Sequence, residues 1–136
     1  MKKFVNVIFI LTLIMSLAAC ASTKLADIYN EDDVISRAKK TVEVINTLAY
    51  DAMVSEMRDD LESQITSQQL KDAWGPALNE AGKFVDYTST TAYGQKSQST
   101  EEDYAVVVLI CKYENANLTY TIFVDKDLNV VGMYMR

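Results

Sequence analysis

Tyr104-Ala105-Val106-Val107-Val108-Leu109-Ile110-Cys111-Lys112-Tyr113 is the stretch whose reading decides the fold. It is apolar without interruption from Ala105 to Cys111 and rich in residues that suit a pleated surface. Apolar side chains on both faces predict a central strand covered on both sides. Working outward, Asn115-Ala116-Asn117 is a tight connection built from turn-forming residues. Leu118 to Val124 then alternates, with Leu118, Tyr120, Ile122 and Val124 on one face and Thr119, Thr121 and Phe123 on the other. Asp125 to Asn129 turns the chain, and Val130 to Met135 closes the sheet. On the upstream side, Gly94 to Asp103 reads as a polar loop, and Phe84 to Tyr93, rich in Thr, Tyr and Val, as the first strand.

Before Lys83 the period is helical. Asn30 can cap a helix whose first turn is acidic, through Glu31, Asp32 and Asp33. Ile35, Ala38, Val42, Ile45 and Ala49 recur at three- and four-residue spacing, flanked by Val34 and Leu48, and the helix should end near Leu48. A second, short helix is expected over about Tyr50 to Leu61, with Ala52, Met53, Met57 and Leu61 inward. A third opens on Thr66-Ser67-Gln68-Gln69, the spacing of a capping box. Its buried face is Leu70, Ala73, Trp74, Ala77, Leu78 and Ala81, and Gly82 is its natural stop. Gly75-Pro76 conflicts with that helix and predicts a kink or break, because proline lacks a donor and clashes with the preceding turn. Three N-terminal helices packed on a curved four-stranded antiparallel sheet make one α+β domain over residues 31–136. The sheet face away from the helices must be a pocket, a dimer interface or wet, and its Tyr and Thr residues suit a half-polar concave surface.

The start of the chain reads differently. Lys2 and Lys3 precede a mostly apolar run from Phe4 to Leu17, short of the roughly 20 residues that a spanning helix needs. Leu17-Ala18-Ala19-Cys20 closes it with small residues before a cysteine. That order reads as a secretory signal, and its end resembles the lipobox of bacterial lipoproteins. The resemblance implies a signal peptide over 1–19, diacylglycerol on the Cys20 thiol and cleavage that makes Cys20 the new N-terminus. Residues 20–30 are then the lipidated cysteine and a short tether. The expected location is the extracytoplasmic side of a membrane in a bacterial cell envelope, held by acyl chains. One buried chain binds marginally and two or more hold firmly.

Composition sets further bounds. The 136 residues carry a net charge of −6, which becomes about −8 once Lys2 and Lys3 are removed. An acidic domain with no basic stripe is a poor partner for nucleic acid or for lying flat on anionic lipid. The absence of histidine removes the commonest general base and the commonest metal ligand together. With Cys20 acylated, Cys111 has no thiol to pair with.

Several spaced elements resemble a known family: Leu70-Lys71-x-x-Trp74, Gly82-Lys83-Phe84, the Val-rich strand ending in Cys111-Lys112-Tyr113-Glu114, and Val131-Gly132-Met133-Tyr134. Together they resemble domain of unknown function 3887, over roughly Val34 to Arg136. The resemblance implies a nuclear transport factor 2-like, cystatin-like cone. Two departures stand out: Pro76 falls in a helix usually continuous in such folds, and no hydrolase domain follows, although some relatives carry one. The family brings no established activity, so no catalytic residue is transferred.

The remaining constellations are weighed by their chemistry. Cys111 lies in an apolar strand without a base and reads as a buried structural cysteine. Asp125-x-Asp127-x-Asn129 imitates the start of a calcium loop but has Val130 and Arg136 where that loop needs glycine and an acid, so a hairpin turn is expected. Asn117-Leu118-Thr119 matches a glycosylation acceptor and carries no weight in a bacterial envelope protein. Tyrosines are plentiful, Tyr93 and Tyr104 among them, and Tyr50, Trp74, Tyr87, Tyr113, Tyr120 and Tyr134 are the candidates for lining a cleft. The plainer account of the same rings is core packing with satisfied hydroxyls. Asp51 or Asp86 beside a tyrosine would imitate the carboxylate and tyrosine pair of isomerases that share the cone fold. No catalytic residue, cofactor or metal is assigned. The reading expected from sequence is a non-catalytic binding or assembly module that uses the sheet face or cone pocket. Its partner would be a small ligand, an envelope protein or a second copy in a homodimer. The alternatives are a small isomerase-like enzyme and a pure dimerisation domain.

Overall fold

The computed structural model describes residues 24–97 and 99–136, and the expected signal segment and Cys20 lie outside them. Among the described residues four helices precede four strands: α1 Glu31–Asn46, α2 Tyr50–Ser55, α3 Asp59–Glu62, α4 Ser67–Ala81, β1 Phe84–Lys96, β2 Asp103–Tyr113, β3 Asn117–Val124 and β4 Val130–Met135. The strands form an antiparallel meander in the order β1-β2-β3-β4. No described helix is long and apolar enough to cross a membrane.

The caps work as the sequence predicts. The Asn30 side chain accepts the Asp33 N–H at 3.1 Å. Thr66 and Gln69 exchange both bonds of a capping box, at 3.1 and 2.9 Å. Gly82 ends α4 at φ 80°, where a β-carbon would stand 3.1–3.2 Å from Glu114 atoms. α1 stops at Asn46, slightly earlier than expected, and Leu48 and Ala49 are exposed. Its buried stripe is Val34, Ala38, Thr41, Val42 and Ile45, so a threonine sits where an all-apolar seam was expected.

Two helical expectations change. The single helix expected over Tyr50 to Leu61 is two pieces, α2 and α3. The cause is distant in sequence: Met57 forms a parallel bridge with Val130, and the Arg58 N–H donates to the Val130 carbonyl at 2.7 Å. Backbone committed to a sheet edge cannot also continue the helix. Conversely, α4 runs unbroken through Pro76. Pro76 and Asp72 both lie on the exposed face, so the carbonyl that loses its donor looks at water. On the opposite side Gly75 is buried, and a β-carbon there would stand 3.3 Å from the Tyr50 hydroxyl. The Gly-Pro pair thus serves close packing on one side and tolerates a lost bond on the other.

The helices cover one face of the sheet. Ala105, Val107, Leu109, Cys111 and Tyr113 of β2 and Leu118, Tyr120, Ile122 and Val124 of β3 meet Val34, Ala38, Val42, Ile45, Met53, Leu70, Trp74 and Leu78 in one core. β1 joins it irregularly. Register shifts between Phe84 and Asp86 and between Tyr87 and Ser89 place Phe84, Tyr87 and Thr90 opposite Tyr113, Cys111 and Leu109. The inward positions are therefore three apart before they return to two, as bulges require, and bulges bend the strand. β1 also continues past Tyr93 to Lys96, into the expected loop.

The expected tether is not free along its whole length. Leu25 and Ala26 pack against the core, and Tyr29 is buried. The Tyr29 hydroxyl donates to the Asp103 carbonyl at 2.5 Å. The Lys24 carbonyl lies so near Gly94 that a β-carbon there would come within 2.5 Å of it. Only glycine admits that approach.

Candidate functional site

The interior is the first place to look for a cone pocket. Trp74 of α4 meets Tyr120 of β3 edge to face, with ring centroids 6.4 Å apart. Tyr120 is fully buried, and its hydroxyl lies 2.7 Å from that of Tyr113. The Tyr113 hydroxyl donates to Asn46 Oδ1 at 2.5 Å. Each phenol has one proton, so the order is fixed: Tyr120 donates to Tyr113, which donates to Asn46. Burial raises both tyrosines above their ordinary range. Phe84 packs edge to face on Tyr87 and Tyr113, and Lys39 Nζ sits 4.8 Å from the Tyr87 ring centre. Tyr87 is half-buried, and burial pushes its hydroxyl up to about 12.

The six aromatic candidates therefore do not converge on one opening. Tyr50, Trp74, Tyr87, Tyr113 and Tyr120 belong to the helix side of the sheet, where they pack on the core. Tyr134 lies on the opposite face. A shallow groove between Val54, Asp59, Glu62 and Ile65 contains none of them. Neither carboxylate considered for an isomerase pair enters the interior. Asp51 and Asp86 are exposed, the first accepting from the Ser67 hydroxyl and the second from the Tyr87 N–H. Cys111 is fully buried, and burial alone pushes its thiol up to about 11, away from the reactive thiolate.

The Asp125 turn is occupied by protein donors. Asp125 Oδ1 accepts the N–H groups of Asp127 and Asn129 at 3.0 and 2.9 Å, and Arg58 reaches Oδ2 at 3.2 Å. Burial works to raise its carboxyl, but these hydrogen bonds prevail and hold it below the usual carboxylate range. Among the described residues no group of three or more acidic, Cys or His side chains could hold a metal ion. Next to this turn Arg37 donates to the Leu128 carbonyl, to Thr41 and to Glu56, at 3.0, 2.9 and 3.1 Å. Thr41 also donates to Glu56. Sequence reasoning passed over this cluster. The only local sign of it was Thr41 on an apolar stripe four residues after Arg37.

The outer face of the sheet differs in kind. No described helix covers it, which departs from the expectation of a central strand covered on both sides. Its residues form rows in register. Tyr93, Val106, Phe123 and Gly132 form one row, and Thr91, Val108, Thr121 and Tyr134 the next. Val106 is fully buried between larger neighbours, while Val108, Ile110 and Phe123 are half-buried. Phe123 meets Tyr134 edge to face at 5.6 Å and leans over Gly132, where a β-carbon would come within 3.2 Å of its ring. The Tyr134 hydroxyl is buried with no hydrogen-bond partner among the described residues. Burial raises it above its ordinary range.

Against this geometry stand the comparisons. The family model described as "Protein of unknown function (DUF3887)" matches residues 38–133, from within α1 to within β4. The chain belongs to the DUF3887 family. A solved relative in fold is the "NMR structure of protein from Ruminococcus gnavus ATCC 29149", with a TM-score of 0.74 and 25% identity. That likeness covers 84% of this chain and 97% of the other. No curated protein matches the chain. The DUF3887 match spans the interior tyrosines, Cys111 and the row of Tyr93, Val106, Phe123 and Gly132, and leaves Cys20 and Tyr134 outside.

Proposed function

We propose that this DUF3887 protein is a non-catalytic, extracytoplasmic binding or assembly module, anchored by acyl chains on Cys20 and working through the outer sheet face. The observation that carries the reading is the contrast between a closed interior and an open outer surface. Inside, Tyr113, Tyr120 and Asn46 satisfy one another. Outside, Val108, Ile110, Phe123 and Tyr134 remain half-exposed with no described helix over them. A small ligand or an envelope protein suits such a surface, which is apolar and aromatic at one end and lined with Ser89, Thr91, Thr119 and Thr121 at the other. The anchor rests on the order of Lys2 and Lys3, the apolar run and Ala18-Ala19-Cys20.

Mass spectrometry of the membrane fraction tests the anchor. The expected N-terminus is a lipid-modified Cys20, and the Cys20→Ser chain should leave that fraction. An unmodified N-terminus in the medium would end the anchored reading. Binding is tested separately, by comparing proteins captured by the native chain and by Phe123→Ala. Equal capture by both would remove the outer face from the proposal.

A further inference from the structure

The two edges of the sheet are built differently. β1 carries two register shifts within its first half, between Phe84 and Asp86 and between Tyr87 and Ser89. Bulges of this kind protect an edge by twisting it away from straight pairing. β4 carries a single shift, at Val131 between Val130 and Gly132 opposite Val124 and Phe123, and pairs regularly from Gly132 to Met135; it contains no charge and no proline. Arg136 and Thr119 exchange both backbone bonds, at 2.7 and 3.0 Å. By the alternation of antiparallel pairing, Tyr134 and Gly132 then turn their backbone toward β3, and Met133 and Met135 turn theirs outward. The Met57 bridge and the Arg58 N–H cover Val130 only. Among the described residues, no backbone group pairs with Met133 or Met135 on the outward side.

We propose that this edge pairs with β4 of a second copy of the chain, antiparallel and centred on Met133, so that two sheets join into one across a two-fold axis. The sequence Val131-Gly132-Met133-Tyr134-Met135 is self-complementary in that register. Met133 faces Met133 of the second copy, and Val131 faces Met135. On the outer face Tyr134 falls opposite Gly132 of the other copy. A ring opposite a residue without a β-carbon fills the gap that an edge glycine leaves. Phe123 already leans over Gly132 and meets Tyr134 edge to face, so the incoming ring extends an aromatic row that exists in one chain. The pairing forms about four to six backbone hydrogen bonds. It buries less than the roughly 1,200 Å² of a standard stable interface, so the pair is weak in dilute solution and strengthened by confinement to a surface. The inference goes beyond the anchored reading and holds whether or not Cys20 is acylated.

Directed disulfide formation in the full chain tests it. Residues directly opposite in a hydrogen-bonded antiparallel pair have α-carbons about 5.5 Å apart, within disulfide range. Met133→Cys should give a linked dimer under mild oxidation, several-fold above the background of the unsubstituted chain, which already carries Cys20 and Cys111. Val131→Cys and Met135→Cys, co-expressed with different tags, should link to each other and not to themselves. They provide the register test even if Met133→Cys fails to fold. Val85→Cys, on β1 and exposed, should stay at background. Linking at Val85 as strong as at Met133, or none at any β4 position, overturns the proposal. Neither result bears on Cys20.

Discussion

Leu109 and Ile110 are neighbours in β2 with similar side chains, yet they live on opposite faces of the sheet. Leu109 is fully buried against the helices, opposite Tyr120, whereas Ile110 is half-buried, opposite Thr119. The same contrast separates the two deepest tyrosine hydroxyls. That of Tyr120 is bonded to Tyr113, and that of Tyr134 is buried without a partner among the described residues. The inner face is a finished core in which polar atoms are matched. Among the described residues, the outer face buries apolar surface through its own neighbours and leaves the Tyr134 hydroxyl unmatched. The inner face carries most of the core, and the outer face is the surface on which the proposed binding role rests.

The largest expected effect breaks this comparison directly. Leu109→Ala should cost roughly 2–5 kcal/mol in urea unfolding, through lost burial and the cavity left behind. Ile110→Ala should cost about 1 kcal/mol, since less of the side chain leaves water. Equal costs would mean that the outer face is as closed as the inner one.

Next come the tyrosines. Tyr120→Phe should destabilise by about 1 kcal/mol, because a buried donor bond is lost. Tyr134→Phe should be neutral or slightly stabilising, since it removes a desolvated hydroxyl that gains nothing. If Tyr134→Phe weakens the protein in the cell but not after purification, a partner reaches that hydroxyl there.

The smallest effect is in pH. Hydrogen bonds hold the folded Asp125 carboxyl below its unfolded value. Its contribution is therefore present above the unfolded value and is lost as pH falls through the lowered, folded one. Asp125→Asn should lower the urea midpoint near neutrality, and its deficit should shrink in acid. A deficit that does not change with pH would assign the turn's stability to shape rather than charge.

How much of this was legible in the sequence follows from the range of each cause. β2 and β3 were readable because composition and alternation are local. The caps at Asn30 and Thr66 and the stop at Gly82 were readable for the same reason. The break between α2 and α3 was not, since it depends on Val130, some seventy residues away in the chain. The three-residue spacing of Phe84, Tyr87 and Thr90 hid the inner face of β1 behind an assumed period of two. Pro76 misled because its effect depends on which way the helix turns it, and here that is toward solvent. The aromatic candidates were the right residues for the middle of the fold. What sequence could not separate was a ring lining a cavity from a ring filling one. That difference lies in whether Tyr113, Tyr120 and Asn46 find each other.

The contact between Lys24 and Gly94 also fixes a geometry for the whole particle. Four residue steps lie between Cys20 and that clamp, a reach of roughly 14 Å at most. Gly94 stands near the end of the sheet that also carries Lys96, Asp103 and the Asp125 turn. If Cys20 carries acyl chains as proposed, that end would point down and the Asn115 end would point away, like a lamp on a short stalk. Glu101, Glu102, Asp103 and Asp127 would then hang just above the headgroups. Their charge would repel an anionic leaflet and keep the body upright rather than lying on its side.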